Sequence, residues 1–170
     1  MMLQLVIDDF NRTIDLWIEA LLPYDLQQLR AKPSAAGWSI GQMYKHLIDD
    51  TSFYIEQIES CLSTNENHDK EASPFAKIIL ANNDFPDEVI QGAPGNAFIP
   101  QPETKEELVN ALVRIRKQMN DLSTTVENTP SNGKSKHPGF NYLSATEWIQ
   151  LAEMHLRHHL RQKKRIDDKI

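Results

Sequence analysis

The sequence is short of the features that hold secreted or membrane proteins together. Cys61 is its only cysteine, so no disulfide can form within the chain. A zinc site that draws two or more thiolates from one chain is excluded for the same reason. No apolar run approaches the roughly 18 residues that indicate a membrane-spanning helix, and we therefore expect no membrane partner.

An excess of positive charge is also absent. The formal net charge is −6, which argues against general binding of nucleic acid. The apolar start of the chain is short, is interrupted by Asp8 and Asp9, and lacks the cationic residues of a signal peptide. We therefore expect a cytoplasmic protein. Its 170 residues suit one domain that spans residues 1–170.

Helical periodicity is what the sequence has in abundance. Apolar residues recur every three or four positions in four long segments, and each segment predicts an amphipathic helix. The segments are residues 10–21, 39–62, 104–126 and 144–166. Three of them begin with a capping-box pattern. The three pairs are Ser39 with Gln42, Thr104 with Glu107, and Ser144 with Glu147.

Four helices of this length predict an all-α fold, a four-helix bundle. The first and third connections are short enough to join antiparallel neighbours. The second connection, residues 63–103, is about 40 residues long, which permits a crossover along the whole bundle. Helices 2 and 3 could then run parallel. Within it, the apolar stretch from Phe75 predicts a short extra helix, and residues 85–102 predict an ordered loop over one end of the bundle.

Two histidines on the fourth helix are candidate metal ligands. His155 and His159 are four residues apart, so they lie on one face and roughly 6 Å apart along the axis. One metal ion could satisfy a nitrogen from each ring, although histidines on an apolar face also occur as packed core residues. His46, on the second helix, is the natural third ligand; its alternative is a buried histidine bonded to a carbonyl. Three imidazoles leave a fourth position, as in catalytic zinc sites.

The other histidines are weaker candidates. We expect His158 either to support the ligands or to lie at the surface, and His68 to be solvated. His137 lies in the loop before the fourth helix, where it could approach the end of the bundle. Leu156 follows His155, so the HExxH pattern of zinc proteases is absent.

Carboxylates near the predicted site are few. We expect Glu153 to point away from the bundle interior. Asp50 is then the nearest candidate general base, and its alternative is a surface acid. We expect the basic residues of the last turns to be solvated and to complement the helix dipole. These are Arg157, Arg161, Lys163, Lys164 and Arg165.

Two segments resemble a known family. Residues 38–47, WSIGQMYKHL, and residues 137–148, HPGFNYLSATEW, which lead into His155 and His159, are similar to the DinB-like (DinB/YfiT) superfamily. The resemblance implies an up-down-down-up bundle that often forms homodimers. It also implies a divalent metal, often zinc or nickel, held by His46, His155 and His159. Characterised relatives include thiol S-transferases that use small thiols such as bacillithiol, and a mycothiol-dependent maleylpyruvate isomerase.

The leading hypothesis is therefore a metal-dependent enzyme that activates a thiol or water, with thiol S-transfer onto a small-molecule substrate as the favoured reaction. Two alternatives remain open. One is a metal-dependent hydrolase. The other is a non-catalytic bundle, in which the histidines bind a metal structurally or simply pack, and which serves as a binding or stress-associated module.

Overall fold

The computed structural model describes residues 3–87 and 98–169. These residues form six helices and one small hairpin, so the predicted all-α fold is confirmed. The helices are α1 (Leu3–Leu21), α2 (Leu26–Arg30), α3 (Ile40–Ser63), α4 (Pro74–Asn82), α5 (Lys105–Asn128) and α6 (Ala145–Asp167). The strands are β1 (Lys134–His137) and β2 (Asn141–Ser144), which pair antiparallel.

The capping residues predicted from the sequence begin the long helices. Ser39 and Ser144 each form both hydrogen bonds of a capping box, with Gln42 and Glu147. The box at Thr104 is only half formed. The Thr104 hydroxyl accepts a hydrogen bond from the backbone amide of Glu107. The Glu107 carboxylate, however, accepts its hydrogen bond from the backbone amide of Glu103 and not from that of Thr104. The short helix predicted from Phe75 is present as α4, and a further short helix, α2, lies between α1 and α3.

The four long helices are arranged up-down-down-up. α1 and α6 run parallel, because Thr13 bonds Glu153 and the Trp17 indole bonds the carbonyl of Leu156. α3 and α5 are parallel as well. Lys45 pairs with Glu107 near the two helix starts, and Ser131, just beyond α5, bonds carbonyls at the end of α3. The predicted topology is confirmed.

Each long helix packs against its parallel partner and against one helix of the other pair, α1 against α5 and α3 against α6. One hydrophobic cluster fills the space between them, and its largest members have no exposed surface. The stripe predicted for the second helix is part of this cluster, including the thiol of Cys61. Trp17 and Trp148 are core residues.

The segment before α6 differs from the prediction. Residues 134–144 form the β1–β2 hairpin rather than a loop, with His137 paired to Asn141 across a three-residue turn. The hairpin packs on α3 and α6. Of the loop predicted over one end of the bundle, residues 88–97 lie outside the described residues.

Candidate metal centre

Three histidines meet where α3 crosses the C-terminal half of α6. Because these helices are antiparallel neighbours, His46 near the start of α3 faces His155 and His159. The His159 Nε2 atom lies 3.2 Å from that of His46 and 3.0 Å from that of His155. The structure therefore brings together the three histidines that the sequence singled out.

Burial keeps these imidazoles neutral. It lowers the pKa of His46 to about 4 and that of His159 to about 3, with a further contribution to His159 from the neighbouring histidines. The pKa of His155 is also well below its ordinary value, because of burial and then the adjacent imidazoles. At neutral pH each ring thus keeps one nitrogen lone pair for a ligand bond.

The donor set fits a divalent metal. Three neutral Nε2 atoms converge, and their ligand atoms all lie within 4.8 Å of one another. A neutral imidazole carries only one N–H, so three such atoms pointing at one spot cannot all be satisfied by hydrogen bonds to each other. A cation between them satisfies all three. Nitrogen ligands of this kind suit zinc and nickel alike.

The ring orientations are held by packing more than by hydrogen bonds. Metal-binding histidines usually donate their second ring N–H to an acceptor. Here the Nδ1 atoms of His155 and His159 are buried and have no partner among the residues that the structure describes. Aromatic contacts hold the rings instead. The ring centroid of Tyr54 lies 5.8 Å from that of His155, and the ring centroid of Trp38 lies 4.9 Å from that of His46.

Asp50 is the carboxylate beside the three histidines. Its Oδ2 atom lies 3.6 Å from the Nε2 atoms of both His46 and His155. Burial, together with the charge of Asp49, raises the pKa of the Asp50 carboxyl to about 6. Its side chain is 36% exposed, so Asp50 joins the histidines to the protein surface.

The remaining histidines lie outside this cluster. His158 is buried rather than on the surface: its ring packs 5.4 Å from Phe85 and is hydrogen-bonded to Arg161 and Gln162. His137 lies in β1, with its ring 6.4 Å from that of Tyr54. His68 is exposed, as expected.

The prediction for Glu153 was wrong. Its side chain is 5% exposed and packs toward α1, where it accepts hydrogen bonds from Thr13 and Arg157. It faces away from the histidine cluster, because residues two positions apart on a helix point to nearly opposite sides. Glu153 therefore does not supply a carboxylate at the candidate metal centre.

Three of the basic residues of α6 are also not solvated as predicted. Arg157 and Arg161 both pair with Asp84, and Lys163 is buried, where it donates to Tyr24 and Asp167. These contacts attach the chain just after α4 and the chain just after α1 to α6.

Sequence reasoning missed the place of Trp38 beside the histidines. Trp38 lies in one of the two segments that resemble the family, but no contact with the histidines was predicted for it, whereas its indole lies over two of the three imidazoles. The signal was its position directly before the cap Ser39, which is fixed relative to His46 by the helix that follows.

The comparison with known families agrees with this geometry. The sequence profile of the DinB superfamily matches residues 9–162, a range that contains all three histidines. No curated protein sequence matches the chain. Within residues 3–87 and 98–169, no helix has the length and apolar character needed to cross a membrane.

Proposed function

The chain belongs to the DinB superfamily, and we propose that it is a metal-dependent enzyme whose His46, His155 and His159 hold a divalent metal, zinc or nickel. The observation that carries the proposal is the convergence of three neutral Nε2 atoms, two pairs of which lie 3.0–3.2 Å apart. When bound, a metal of this kind lowers the pKa of a thiol or water that it coordinates.

The side chains around the metal position have separable roles. Three nitrogen ligands leave room for one more ligand, which is the pattern of catalytic zinc sites. The Asp50 oxygen, 3.6 Å from two of the ligand nitrogens, is placed to accept the proton that a thiol or water there would lose. The Trp38 ring packs against His46, and the Tyr54 ring packs against His155.

Thiol S-transfer is the favoured reaction, with a low-molecular-weight thiol as one substrate. Hydrolysis by zinc proteases relies on a glutamate base on the ligand helix, and Glu153 of α6 is bonded to Arg157 and Thr13 on the other side of that helix. A hydrolase in which Asp50 is the base is the first alternative.

The second alternative is a non-catalytic bundle, and the burial of the cluster favours it. His46 and His159 are only 5% and 6% exposed, which is typical of structural sites. The homodimer and the cytoplasmic location stay predictions, as does the absence of a nucleic-acid partner.

Metal content tests the proposal directly. Wild-type protein, loaded with zinc or nickel and then desalted, should retain about one equivalent by elemental analysis. His46→Ala, His155→Ala and His159→Ala should each lose metal by at least an order of magnitude in affinity. His68→Ala is the matched control, because His68 is exposed and remote from the cluster, and it should bind like wild type. A metal-free wild type would contradict the proposal.

Asp50→Asn separates catalysis from structural binding. The variant should keep its metal but lose about 10²-fold or more of the rate in a screen of small thiols against electrophiles. If wild type consumes no thiol while it holds metal, and instead hydrolyses esters or amides, the hydrolase alternative is favoured. If it does neither, the non-catalytic bundle is favoured.

A further inference from the structure

The outer side of α1 carries two leucines that the bundle leaves uncovered. Leu5 is 56% exposed, and Leu16 is 47% exposed. Between them lie Asp9 and Arg12, whose side chains are 44% and 70% exposed. Residues three or four apart on a helix are neighbours on its surface, so these four side chains form one stripe, about 17 Å long. We call it the α1 stripe.

The α1 stripe lies on the side of the helix that faces away from the bundle. Thr13 and Trp17 form hydrogen bonds with α6, whereas Asn11 and Asp15 form hydrogen bonds with α5. Since successive residues are about 100° apart around a helix, the stripe lies between these two sets, opposite the buried residues of α1. It is therefore available to a partner molecule.

Within one molecule, the two charged members of the α1 stripe pair with each other. The Arg12 guanidinium lies 3.0 Å from the Asp9 carboxylate. Ion pairs this exposed contribute little to the stability of a fold, because water screens them. Both side chains can therefore turn to opposite charges on a partner without weakening the bundle.

The order of the side chains along the α1 stripe makes it self-complementary. Leu5 precedes Asp9 by four residues, and Leu16 follows Arg12 by four. Two copies of α1 that pack antiparallel about a twofold axis therefore place Leu5 against the partner's Leu16, and Asp9 against the partner's Arg12. The twofold axis repeats each contact. In a parallel pair each charge would instead face its own copy, and the like charges would repel.

A recess of about 270 Å³ between α1 and α6 borders the α1 stripe. Four residues with the i, i+3, i+4, i+7 spacing form its α1 side: Asp9, Arg12, Thr13 and Leu16. In packed helices this arrangement is the hole that receives a side chain of the facing helix. On the α6 side, Glu153 and Arg157 are paired with each other. Since the described charges around the recess are thus already paired, it suits a side chain of a facing helix better than a small ionic ligand.

We infer that two copies of this chain associate through their α1 stripes, antiparallel about a twofold axis. The inference is independent of the proposed metal site, because α1 packs on the side of α6 that carries Glu153 and not on the side that carries the histidines. One helix face per copy buries less than the roughly 1,200–2,000 Å² of a tight interface. We therefore expect a weak dimer, with a dissociation constant in the micromolar range.

Sedimentation velocity over protein concentrations from about 1 µM to about 1 mM measures this association. Leu5→Gln and Leu16→Gln should each weaken the dimer by about tenfold or more, because each leucine is buried twice in a symmetric interface. Leu22→Gln is the matched control. Leu22 is more exposed than either leucine, at 64%, but it lies beyond the end of α1 and outside the stripe. This variant should therefore associate like wild type.

Charge variants test the antiparallel arrangement. Asp9→Arg and Arg12→Asp should each weaken association by about tenfold or more, because each creates two repulsive contacts across the twofold axis. The double variant that combines both changes restores opposite charges and should associate within about threefold of wild type. An equimolar mixture of the two single variants should likewise form a heterodimer, since every charge then faces its opposite.

Urea unfolding of each variant verifies that the fold is intact, and metal retention should match that of wild type. Wild type that stays monomeric at about 1 mM would overturn the inference. A dimer that tolerates both single charge variants would also overturn it, because association would then use another surface. So would failure of both the double variant and the mixture to dimerise, because the charges would then not face each other across a twofold axis. None of these outcomes bears on the proposed function, which metal content tests separately.

Discussion

At the scale of single residues, His137 uses its two ring nitrogens differently. Its Nδ1 atom accepts hydrogen bonds from the amides of Gly139 and Phe140, at 2.9 Å and 3.1 Å, and so closes the hairpin turn. The ring stacks on Phe140 and is also in tilted contact with Trp148. Because Nδ1 is an acceptor, the ring must be neutral, with its proton on Nε2.

His137 should make the stability of the protein pH-dependent. Burial lowers its pKa from 6.5 to about 4 in the folded state. Between these values the unfolded chain binds a proton that the folded chain does not, so stability falls as pH drops from about 6.5 to about 4. The loss should be about 1–2 kcal/mol, because each pKa unit corresponds to about 1.4 kcal/mol and the ring is partly exposed.

A matched pair of variants tests this role. His137→Asn keeps an acceptor near the Nδ1 position, as in an Asx turn, but does not titrate. Its urea unfolding free energy should be close to that of wild type at pH 7 and higher than it at pH 4.5. His137→Gln places its acceptor too far out and should destabilise the turn at both pH values. Identical pH dependence of wild type and His137→Asn would refute the argument.

At the scale of elements, α6 is buried around most of its circumference. α1 and α3 lie against two of its sides, and α4 with Asn83, the residue that follows it, lies against a third. Its last turn is held by Lys163, which donates to the Tyr24 hydroxyl at 2.8 Å and to Asp167 at 2.6 Å, while Tyr24 also donates to Asp167.

Loss of the Lys163 amine should loosen the end of α6. Lys163→Ala should lower the free energy of unfolding by about 2–3 kcal/mol, because it removes two charge-assisted hydrogen bonds and buried packing from a side chain that is 11% exposed. Lys164→Ala is the control, since Lys164 is exposed in the same turn and should change stability by less than about 0.5 kcal/mol. Chemical denaturation of both variants measures the difference. If both variants lost the same free energy of unfolding, the loss would come from the positive charge near the end of α6 and not from the buried contacts of Lys163.

The errors in the prediction for α6 have the same origin. Periodicity identifies the most apolar stripe of a helix, and that stripe was assigned correctly. It does not show that polar residues such as Glu153 and Lys163 face further neighbours, because the sequence does not reveal how many elements surround a helix. The hairpin was missed because its strands are only four residues long. Pro138-Gly139 between them was the available turn signal.

At the scale of the whole molecule, the topology could be predicted because connection length constrains direction. Only the connection of about 40 residues can run the length of the bundle, and α3 and α5, which flank it, are the parallel pair that this allows. The same topology makes α3 and α6 antiparallel neighbours. That arrangement, rather than the spacing of His155 and His159 alone, brings His46 to them.

The histidine cluster was therefore predictable in its members but not in its surroundings. Helical spacing placed His155 and His159 together, and His46 on the second helix was the natural third ligand, which the resemblance to the family also implied. The approach of Asp50 to two of the rings and the position of Trp38 depend on side-chain directions at a helix crossing. Those directions follow from packing between elements distant in sequence, which local patterns do not encode.

The up-down-down-up arrangement also brings the ends of α3 and α5 to one end of the bundle, and Gly133 is where they meet. A Cβ atom at this glycine would lie 2.2 Å from the Thr64 carbonyl oxygen and 2.4 Å from that of Cys61. Both are backbone atoms at the C-terminus of α3, so no side-chain rotation could relieve the clash.

Gly133→Ala should therefore separate the chain after α5 from the end of α3. We expect a loss of about 2–3 kcal/mol in the free energy of unfolding, the usual cost of overpacking where backbone must move. Gly139→Ala, in the hairpin turn, is the matched control, because its Cβ would meet nothing closer than 3.8 Å. Urea unfolding of both variants measures the contrast.

Metal affinity in Gly133→Ala should stay within about threefold of wild type, because the contact lies at the end of α3 opposite His46. Equal stability of the two variants would show that these helix ends are not held in close contact.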